Sequence, residues 1–335
     1  MCSLNGNHQQ HLESLSYPQG TEVHNLTPNP SYSSLRMTMQ YLEFAVIDAL
    51  TKTPFTGNPT PVLIIDHAKP WPDTVKLQEI AREMNHLETM FARLSISEKV
   101  TTYDVRCFTP TEEIGFCGHG LFAVALMLRK HCDGQIFLKA SDGRVAKAQL
   151  LQGDDANAEI LLGAPAGIEL LIPPLPVSGS LNENNELRTA FAKSLVIEPN
   201  QIEELATNAF NDVIIQVKHD VDFSYANPGI DAMGLHNASP SGTRAQIVTS
   251  RGDRLGVDYL KRVFWEGSED HSTGSTHCVL IPYWSEKLGK SRMSCKQLSE
   301  RTGEVEVKAE TDGSGYVSLL GMGVKVLEGK IALLS

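Results

Sequence analysis

The sequence predicts an α+β fold made of two related halves, and three observations support this prediction. Strand-like and helix-like segments alternate irregularly along the chain, without the sustained strand–helix–strand rhythm of a doubly wound sheet. One segment of the first half aligns without a gap to a segment of the second half. A proline-rich connector at residues 172–176 lies between them, and such connectors are typical of points where a chain passes between domains.

The first half opens with strand, turn, strand and helix signals. Residues 41–48 form a strand-like apolar run, and a Gly-Asn-Pro turn at residues 57–59 leads into a second strand at residues 61–65. Apolar side chains recur at helical spacing across residues 73–84, which predicts an amphipathic helix. The uninterrupted apolar run at residues 121–128 indicates a helix that is buried on all sides.

The second half carries similar signals. Two helices are predicted at residues 185–193 and 200–206, and a strand follows at residues 212–217. A further apolar helix is predicted at residues 278–284.

Three segments are predicted along the chain. Its first forty residues are rich in Ser, Asn, Gln, His and Pro and have no apolar period, so they cannot bury enough surface to offset the entropy of ordering. We therefore expect a disordered leader at residues 1–40, a first half at residues 41–165 and a second half at residues 166–335. The last strand of the second half is a candidate to return to the first half.

Composition excludes several classes of function. The chain has 335 residues and a formal net charge of -11, which leaves no broad basic surface for a nucleic-acid partner. Its six cysteines form no C-x-x-C pair and no zinc-spaced cluster with histidine, so neither a metal site nor a disulfide framework is expected. No apolar run is long enough to cross a membrane, and we expect a cytoplasmic protein with reduced thiols.

The internal match is the most informative feature of the sequence. Residues 106–120 align with residues 262–276 at one constant offset, and both segments read strand, loop, small-residue turn and apolar helix. The identical pairs are Arg106 with Arg262, Phe108 with Phe264, Glu113 with Glu269 and Gly118 with Gly274. A chance match between two strand–helix units is the alternative interpretation.

If the repeat is real, each glycine turn leads into the N-terminus of a helix. Such an N-terminus presents unpaired N–H groups and a partial positive charge, which favour a carboxylate or a developing oxyanion. Two of them facing each other across a cleft would form an anion-binding site between the halves.

Several short motifs occur in a recognisable order. They are Phe-Thr-Gly-Asn-Pro at 55–59, Asn-His-Leu-Glu-Thr-Met-Phe at 85–91, Arg-Cys-Phe-Thr-Pro at 106–110, Cys-Gly-His at 117–119, Glu-Asp-His-Ser-Thr-Gly-Ser at 269–275 and Cys-Lys-Gln-Leu-Ser at 295–299. Together they resemble the PhzF-like family, named for phenazine biosynthesis, within the diaminopimelate epimerase fold. The resemblance covers roughly residues 41–333.

The resemblance implies a fold and a chemistry. Each half is expected to be a curved, mainly antiparallel sheet or barrel around a central helix, with the active site between the halves and often a homodimer. In the phenazine isomerase a glutamate moves a proton between carbons without a metal or nucleotide. That glutamate falls on Glu88 here, and the family's histidine, aspartate and serine fall on His119, Asp270 and Ser275. The substrate-binding candidates beside them are Asn58, Gly118, Gly120, Gly274 and Thr276.

Three positions depart from the usual family pattern. His271 stands where the family usually has proline, and Gly120 and Thr276 stand where it usually has alanine. All three flank the expected pocket, so the resemblance leaves the substrate open.

Each candidate residue also has a plain structural interpretation. Glu88 lies in an apolar and amide-rich stretch, where desolvation is expected to raise the pKa of a general base, but it could be a solvated loop residue. His119 could hold or relay a proton near neutral pH, or be a buried core histidine. Asp270 and Ser275 could cap a helix, and Asn58 suits a turn.

Cys117 is interpreted as a buried structural cysteine. Related epimerases use two opposed cysteines, but the internal alignment places Thr273 opposite Cys117, and a threonine cannot act as a thiolate. A two-thiol epimerase is therefore not expected.

The sequence thus predicts a cofactor-independent isomerase in which Glu88 moves a proton between carbons of a small carboxylated metabolite. No glycine-rich phosphate loop is present, so no nucleotide cofactor is expected. Two alternatives stay open: a single-base racemase or epimerase of an amino or hydroxy acid, and a non-catalytic protein that binds an acidic ligand. The retained carboxylate favours an enzyme, because an anion receptor gains nothing from a carboxylate in its pocket.

Overall fold

A computed structural model describes residues 40–95, 100–129, 135–151, 160–226, 229–309 and 313–333. The disordered leader predicted at residues 1–40 lies outside this part of the chain, apart from the backbone of Gln40. No helix in the described ranges combines the length and the apolar character that crossing a membrane requires.

Within the described ranges, the chain from residue 40 to residue 172 contains two helices and eight strands. In chain order they are β1 Gln40–Ala49, β2 Asn58–Ile65, α1 Thr74–Met84, β3 Thr89–Ser95, β4 Thr102–Phe108, β5 Glu113–Ile114, α2 Gly118–Met127, β6 Ile136–Ala140, β7 Val145–Gln149 and β8 Pro165–Ile172.

The remaining elements continue into the second half. They are β9 Val177–Ser180, α3 Asn185–Leu195, a 3₁₀ turn at Pro199–Gln201, β10 Ile202–Asn208, β11 Val213–Val217, α4 Ala232–Ala238, β12 Gln246–Arg251, a 3₁₀ turn at Asp253–Leu255, β13 Tyr259–Trp265, β14 Ser268–Asp270, α5 His277–Leu288, β15 Arg292–Gln297, β16 Gly303–Lys308 and β17 Val317–Leu333.

The two halves pair their strands in the same order. In the first half β1–β2 is antiparallel, β2–β3 parallel, β3–β4 antiparallel and β4–β6 parallel. In the second half β10–β11, β11–β12, β12–β13 and β13–β15 repeat these directions. The structure therefore confirms the predicted α+β fold, and the repeat extends well beyond the matched segments.

Two crossings join the halves into one sheet. Strand β8 pairs with β7 on one side and with β17 on the other, and the next strand, β9, pairs with β10. Strand β17 pairs with β16 near its start and with β1 over residues 323–333. Because each crossing strand has partners on both sides, the described strands form a single sheet.

Each half wraps its strands around one helix. All residues from Gly118 to Leu126 in α2 are buried, as are those from His277 to Ile281 in α5. Helix α2 packs directly on the backbone of β17, where a side chain at Gly321 would overlap Phe122. The apolar runs that predicted buried helices at 121–128 and 278–284 are thus confirmed.

The helix predicted at residues 200–206 is wrong, because this segment is strand β10. A single 3₁₀ turn ends at Gln201, and the following residues pair with β9 on one side and β11 on the other. Ile202 and Leu205 are buried by that pairing, so tertiary contacts override the local helical pattern. Strand β2 also starts at Asn58, three positions before the predicted start.

The core around α2 can be tested by removing one of its side chains. Leu126 is fully buried and lies over Gly323 of β17, so Leu126→Ala should lower the free energy of unfolding by about 2–5 kcal/mol. The matched control is Val75→Ala in α1, where the side chain is 66% exposed and the change should be within about 0.5 kcal/mol. Urea unfolding of both variants checks this; equal stabilities would contradict the placement of α2.

Candidate active site

The N-termini of α2 and α5 meet at the centre of the molecule. The backbones of Gly118 and Gly274 touch across the two halves, because a Cβ on Gly118 would overlap Ser275 and one on Gly274 would overlap His119. Only glycine at both positions allows this approach. The unpaired N–H groups of two helix starts are therefore brought together, as the internal repeat predicts.

Two equivalent ion pairs brace this region. Arg106 of β4 donates two hydrogen bonds to Glu113 of β5, at 2.8 and 2.5 Å. Arg262 of β13 donates two to Glu269 of β14, both at 2.6 Å. These four residues are two of the identical pairs in the sequence alignment, and their matching geometry argues against a chance match. Bidentate pairs of this kind fix the loops that lead to the helix starts.

Glu88 and His119 form the ionisable centre of the site. Glu88 lies between the left-handed C-cap of α1 at Asn85 and the start of β3. Its Oε2 lies 3.0 Å from His119 Nε2, and the two side chains are only 11% and 3% exposed. The contact between these two atoms does not meet hydrogen-bond geometry. Glu88 Oε2 is therefore a buried oxygen that receives no hydrogen bond from the described residues. Such an oxygen is available to accept a proton.

The imidazole of His119 is held in its charged form. Burial alone would lower the pKa of His119, but its contacts with Cys117 and Glu88 raise it well above its ordinary value. Burial also raises the pKa of Cys117 well above that of a free thiol, so Cys117 is neutral at neutral pH. Glu88 is therefore the group that stabilises a protonated His119 there.

Asn58 ties the two halves together behind this pair. Its amide nitrogen lies 3.2 Å from His119 Nδ1 and donates to Asp270 Oδ1 at 2.7 Å and to the Ser272 carbonyl at 3.2 Å. Gly57, not Asn58, supplies the positive φ of the turn, and the Asn58 side chain is fully buried. The two N–H groups of the amide are thus used by Asp270 and Ser272, and the amide fixes the distance between these residues and His119.

All four predicted catalytic residues line one enclosed cavity between the halves. Its volume is about 10 Å³, room for a single water-sized group. Glu88 and Asp270 also border an outer cleft of about 350 Å³, which is large enough for a small metabolite. The cavity is lined by Glu88, Ile114, Phe116, Cys117, His119, Arg244, Ala245, Val263, Trp265, Asp270, Thr273, Ser275 and Thr276.

The predicted substrate-binding residues take different places. Thr276 lines the cavity and is the N-cap of α5, so neither Asp270 nor Ser275 caps that helix. Gly118 and Gly274 form the contact between the helix starts, and Gly120 packs against Met90 in the core of the first half. Asn58 lies behind the cavity and orients its residues.

The sequence did not indicate two residues that line the cavity. Arg244 donates to Asp212 at 2.7 Å, and its guanidinium lies 5.9 Å from the ring centre of Trp265. Arg244 and Trp265 lie in segments outside the recognised motifs. The pairing of β13 with β12 and with β14 brings both residues beside Asp270.

Glu88, Cys117 and His119 lie close enough together to raise the question of a metal ion. Their potential ligand atoms are all within 4.8 Å of one another. However, Cys117 Sγ is 3.6 Å from His119 Nδ1 and 3.5 Å from Nε2. A metal ion bound to His119 would lie along the lone pair of one ring nitrogen. A sulfur almost equidistant from both nitrogens is displaced from both of these directions and too far from such an ion to bind it, so the arrangement does not fit a coordination site.

The fold and site thus define a two-half α+β protein with a cavity between its halves that is lined by ionisable side chains. The sequence profile of the phenazine biosynthesis-like protein family, PhzC-PhzF, matches residues 47–329. The chain belongs to this family.

The alignments with individual relatives extend over most of this chain and nearly the whole length of each relative. A protein of Halalkalibacterium halodurans named an uncharacterized isomerase is 29% identical over 86% of this chain and 97% of its own. The phenazine biosynthesis-like domain-containing protein 2 of Mus musculus is 30% identical, over 87% and 99%. A crystal structure of a phenazine biosynthesis PhzC/PhzF protein from Clostridium difficile is 25% identical, with a TM-score of 0.67 over 87% and 100%.

Cys117→Ser tests the structural role assigned to this thiol. Cys117 Sγ accepts a hydrogen bond from the Gly120 N–H at 3.2 Å, and a serine hydroxyl can do the same. Since the thiol is neutral and faces Thr273 across the cavity, we expect turnover within about tenfold of wild type. Steady-state kinetics check this, with circular dichroism as the control for folding. Loss of all activity in a folded variant would favour a thiol-based epimerase.

Proposed function

We propose that this protein is a cofactor-independent isomerase in which Glu88 moves a proton between carbons of a small carboxylated metabolite. The enzyme class is supported by the relatives from Halalkalibacterium halodurans and Pseudomonas aeruginosa, both named uncharacterized isomerases. The single-base mechanism is supported by the asymmetry of the cavity.

The two walls of the cavity are equivalent in fold but not in chemistry. Thr89 pairs with Phe108 in the first half, and Gln246 pairs with Phe264 in the second. Since Phe108 and Phe264 are equivalent in the repeat, the residue equivalent to Glu88 is Ala245. Ala245 lines the same cavity, so a carboxylate on one wall faces a methyl group on the other.

This asymmetry carries the proposal. An enzyme that inverts a carbon with two bases needs a proton acceptor on each face of the substrate. Here the equivalents of Glu88 and Cys117 are alanine and threonine, which cannot exchange protons near neutral pH. A single base that removes a proton and returns it elsewhere on the same face fits the cavity better.

The other residues suit supporting roles. His119 Nε2 lies 3.0 Å from Glu88 Oε2 and would orient that carboxylate toward the substrate. The N–H groups at the starts of α2 and α5 can stabilise the negative charge that develops when a carbon acid is deprotonated. Asp270 and Ser275 border the cavity from the second half and would position the polar groups of the substrate.

Two alternatives are separated by the product. A single-base racemase or epimerase would return the proton to the carbon it came from, whereas the proposed isomerase would return it to another carbon. A non-catalytic protein would bind an acidic ligand without changing it. Proton NMR on a panel of carboxylated metabolites, with turnover and binding recorded for each, distinguishes the three.

Glu88→Gln tests the base directly. The amide has nearly the same shape but cannot accept a proton, so we expect kcat to fall at least 100-fold, the usual scale for a general base. The matched control is Glu112→Gln, an exposed carboxylate at the mouth of the outer cleft, which should keep kcat within about threefold. Near wild-type turnover by Glu88→Gln would remove the central residue of the proposal.

Turnover in deuterium oxide tests whether the proton stays on the enzyme. A substrate that fills the cleft would shield the cavity around Glu88 from bulk water, so a proton held between two steps should exchange slowly. We expect product with less than one full equivalent of solvent deuterium at the accepting carbon, measured by mass spectrometry. Full labelling together with an active Glu88→Gln would contradict the shuttle, and full labelling with an inactive variant would indicate an open site.

A further inference from the structure

A buried lysine lies directly behind the cavity wall of the second half. Lys261 of β13 is 1% exposed. Its Nζ donates to the Thr273 carbonyl at 2.5 Å and to Thr276 Oγ1 at 2.8 Å, and it lies 3.0 Å from His277 Nε2. Thr273 and Thr276 both line the cavity, so the ammonium contacts the lining without reaching the cavity itself.

The three contacts are compatible with a charged amino group. An ammonium has three N–H donors and no acceptor, whereas a neutral amine has two donors and a lone pair. When the His277 proton lies on Nδ1 and is donated to the Tyr259 hydroxyl 2.9 Å away, Nε2 is the third acceptor beside the Thr273 carbonyl and Thr276 Oγ1. In that tautomer the contacts match a charged ammonium.

This charge is placed where a protein would ordinarily avoid it. The N-terminus of a helix carries a partial positive charge, so cations are favoured at C-termini instead. Lys261 nevertheless lies beside the start of α5, and no carboxylate of the described residues forms an ion pair with its ammonium. A buried cation without a paired anion is costly.

The first half shows that the fold does not need this group. Tyr103 occupies the position equivalent to Tyr259, but the equivalents of Lys261 and His277 are Val105 and Leu121, which are buried and apolar. At the start of α2, apolar side chains therefore occupy the place that Lys261 and His277 occupy at the start of α5. The lysine is thus an addition to one half, beside the wall that faces Glu88.

We propose that Lys261 supplies the positive charge that makes the cavity select an anionic group of the substrate. It acts as a positioning residue: it orders the Thr273–Thr276 turn and adds its charge to the partial charges of the two helix starts. A bound carboxylate would provide the missing counter-charge. The inference deepens the proposed function and depends on it for the identity of the pocket.

Ionisation of Lys261 gives the inference a pH signature. Burial lowers the pKa of Lys261 to about 8, and the neighbouring Cys295, Asp270 and Cys278 oppose this effect. As pH rises through this value the ammonium becomes neutral, so affinity for an anion should fall. The titratable groups that face it are Tyr259 on β13, Asp270 on β14, His277 and Cys278 on α5, and Cys295 on β15.

The test compares two ligands of the same shape, cyclohexanecarboxylate and cyclohexanecarboxamide, by calorimetry. Wild type should bind the carboxylate at least tenfold more tightly at pH 7, and Lys261→Met should lose that preference while its carboxamide affinity stays unchanged. The matched control is Lys296→Met, a more exposed lysine of β15 paired with Glu304, which should keep the preference. Equal affinities in wild type, or an unchanged preference in folded Lys261→Met, would overturn the inference.

A purely structural lysine would behave differently. Its loss would lower the melting temperature and weaken both ligands equally, whereas loss of a lysine that acts through its charge would weaken the carboxylate alone. If Lys261→Met does not fold, the pH dependence decides in a His119→Gln background, which removes the histidine of the cavity and leaves Arg244, whose charge does not change between pH 7 and pH 9. There the carboxylate affinity should fall about tenfold from pH 7 to pH 9 as the ammonium fraction falls; a constant affinity would overturn the inference.

These measurements involve no turnover. The proposed function can therefore fail, through an active Glu88→Gln, while the carboxylate preference and its dependence on Lys261 stand. The reverse outcome is equally distinguishable.

Discussion

The backbone contact between Gly118 and Gly274 is the constraint on which the site depends. It brings the positive ends of two helices together, and an arrangement of that kind is unfavourable unless an anion lies between them. The single sheet that joins the halves through β8 and β17 holds the helices in this position. The fold thus maintains an electrostatic arrangement that two separate helices would not adopt.

A nearly symmetric fold carries an asymmetric chemistry. The ion pairs Arg106–Glu113 and Arg262–Glu269 repeat almost atom for atom, but the cavity places Glu88 on one wall and Ala245 on the other. Symmetry fixes where the walls lie, and the side chains decide what each wall does. We expect the first half to handle the proton and the second half to hold the substrate.

The ionisable groups of the two halves are arranged accordingly. In the first half, His119 Nε2 and Glu88 Oε2 lie 3.0 Å apart in the cavity wall. In the second half, Arg244 lines the cavity and is paired with Asp212, and Lys261 is separated from the cavity by the Thr273–Thr276 turn. Asn58 links the two halves through His119 and Asp270. A displacement of one half would therefore change the position of His119 relative to Glu88.

The sequence by itself determined the features that repeat locally. Periodicity predicted α1 and the buried helices α2 and α5, and the internal match predicted that two helix starts would meet. The motifs selected Glu88, His119, Asp270 and Ser275, which all border one cavity. The helix predictions succeed because each depends on neighbouring residues or on a repeat visible in the chain, and the catalytic roles of the four motif residues stay a prediction.

Only the tertiary structure decided the remaining features, because they arise from contacts between segments far apart in the chain. The sequence of β10 has a helical pattern, but its pairing with β9 and β11 makes it a strand. Asn58 resembled a turn residue, although its amide reaches Asp270 in the other half. Lys261 gave no signal at all, since a lysine in a strand is ordinary until its side chain is found buried beside a helix start. Local propensity is weak compared with burial and long-range pairing, and the chemistry of this site depends on both.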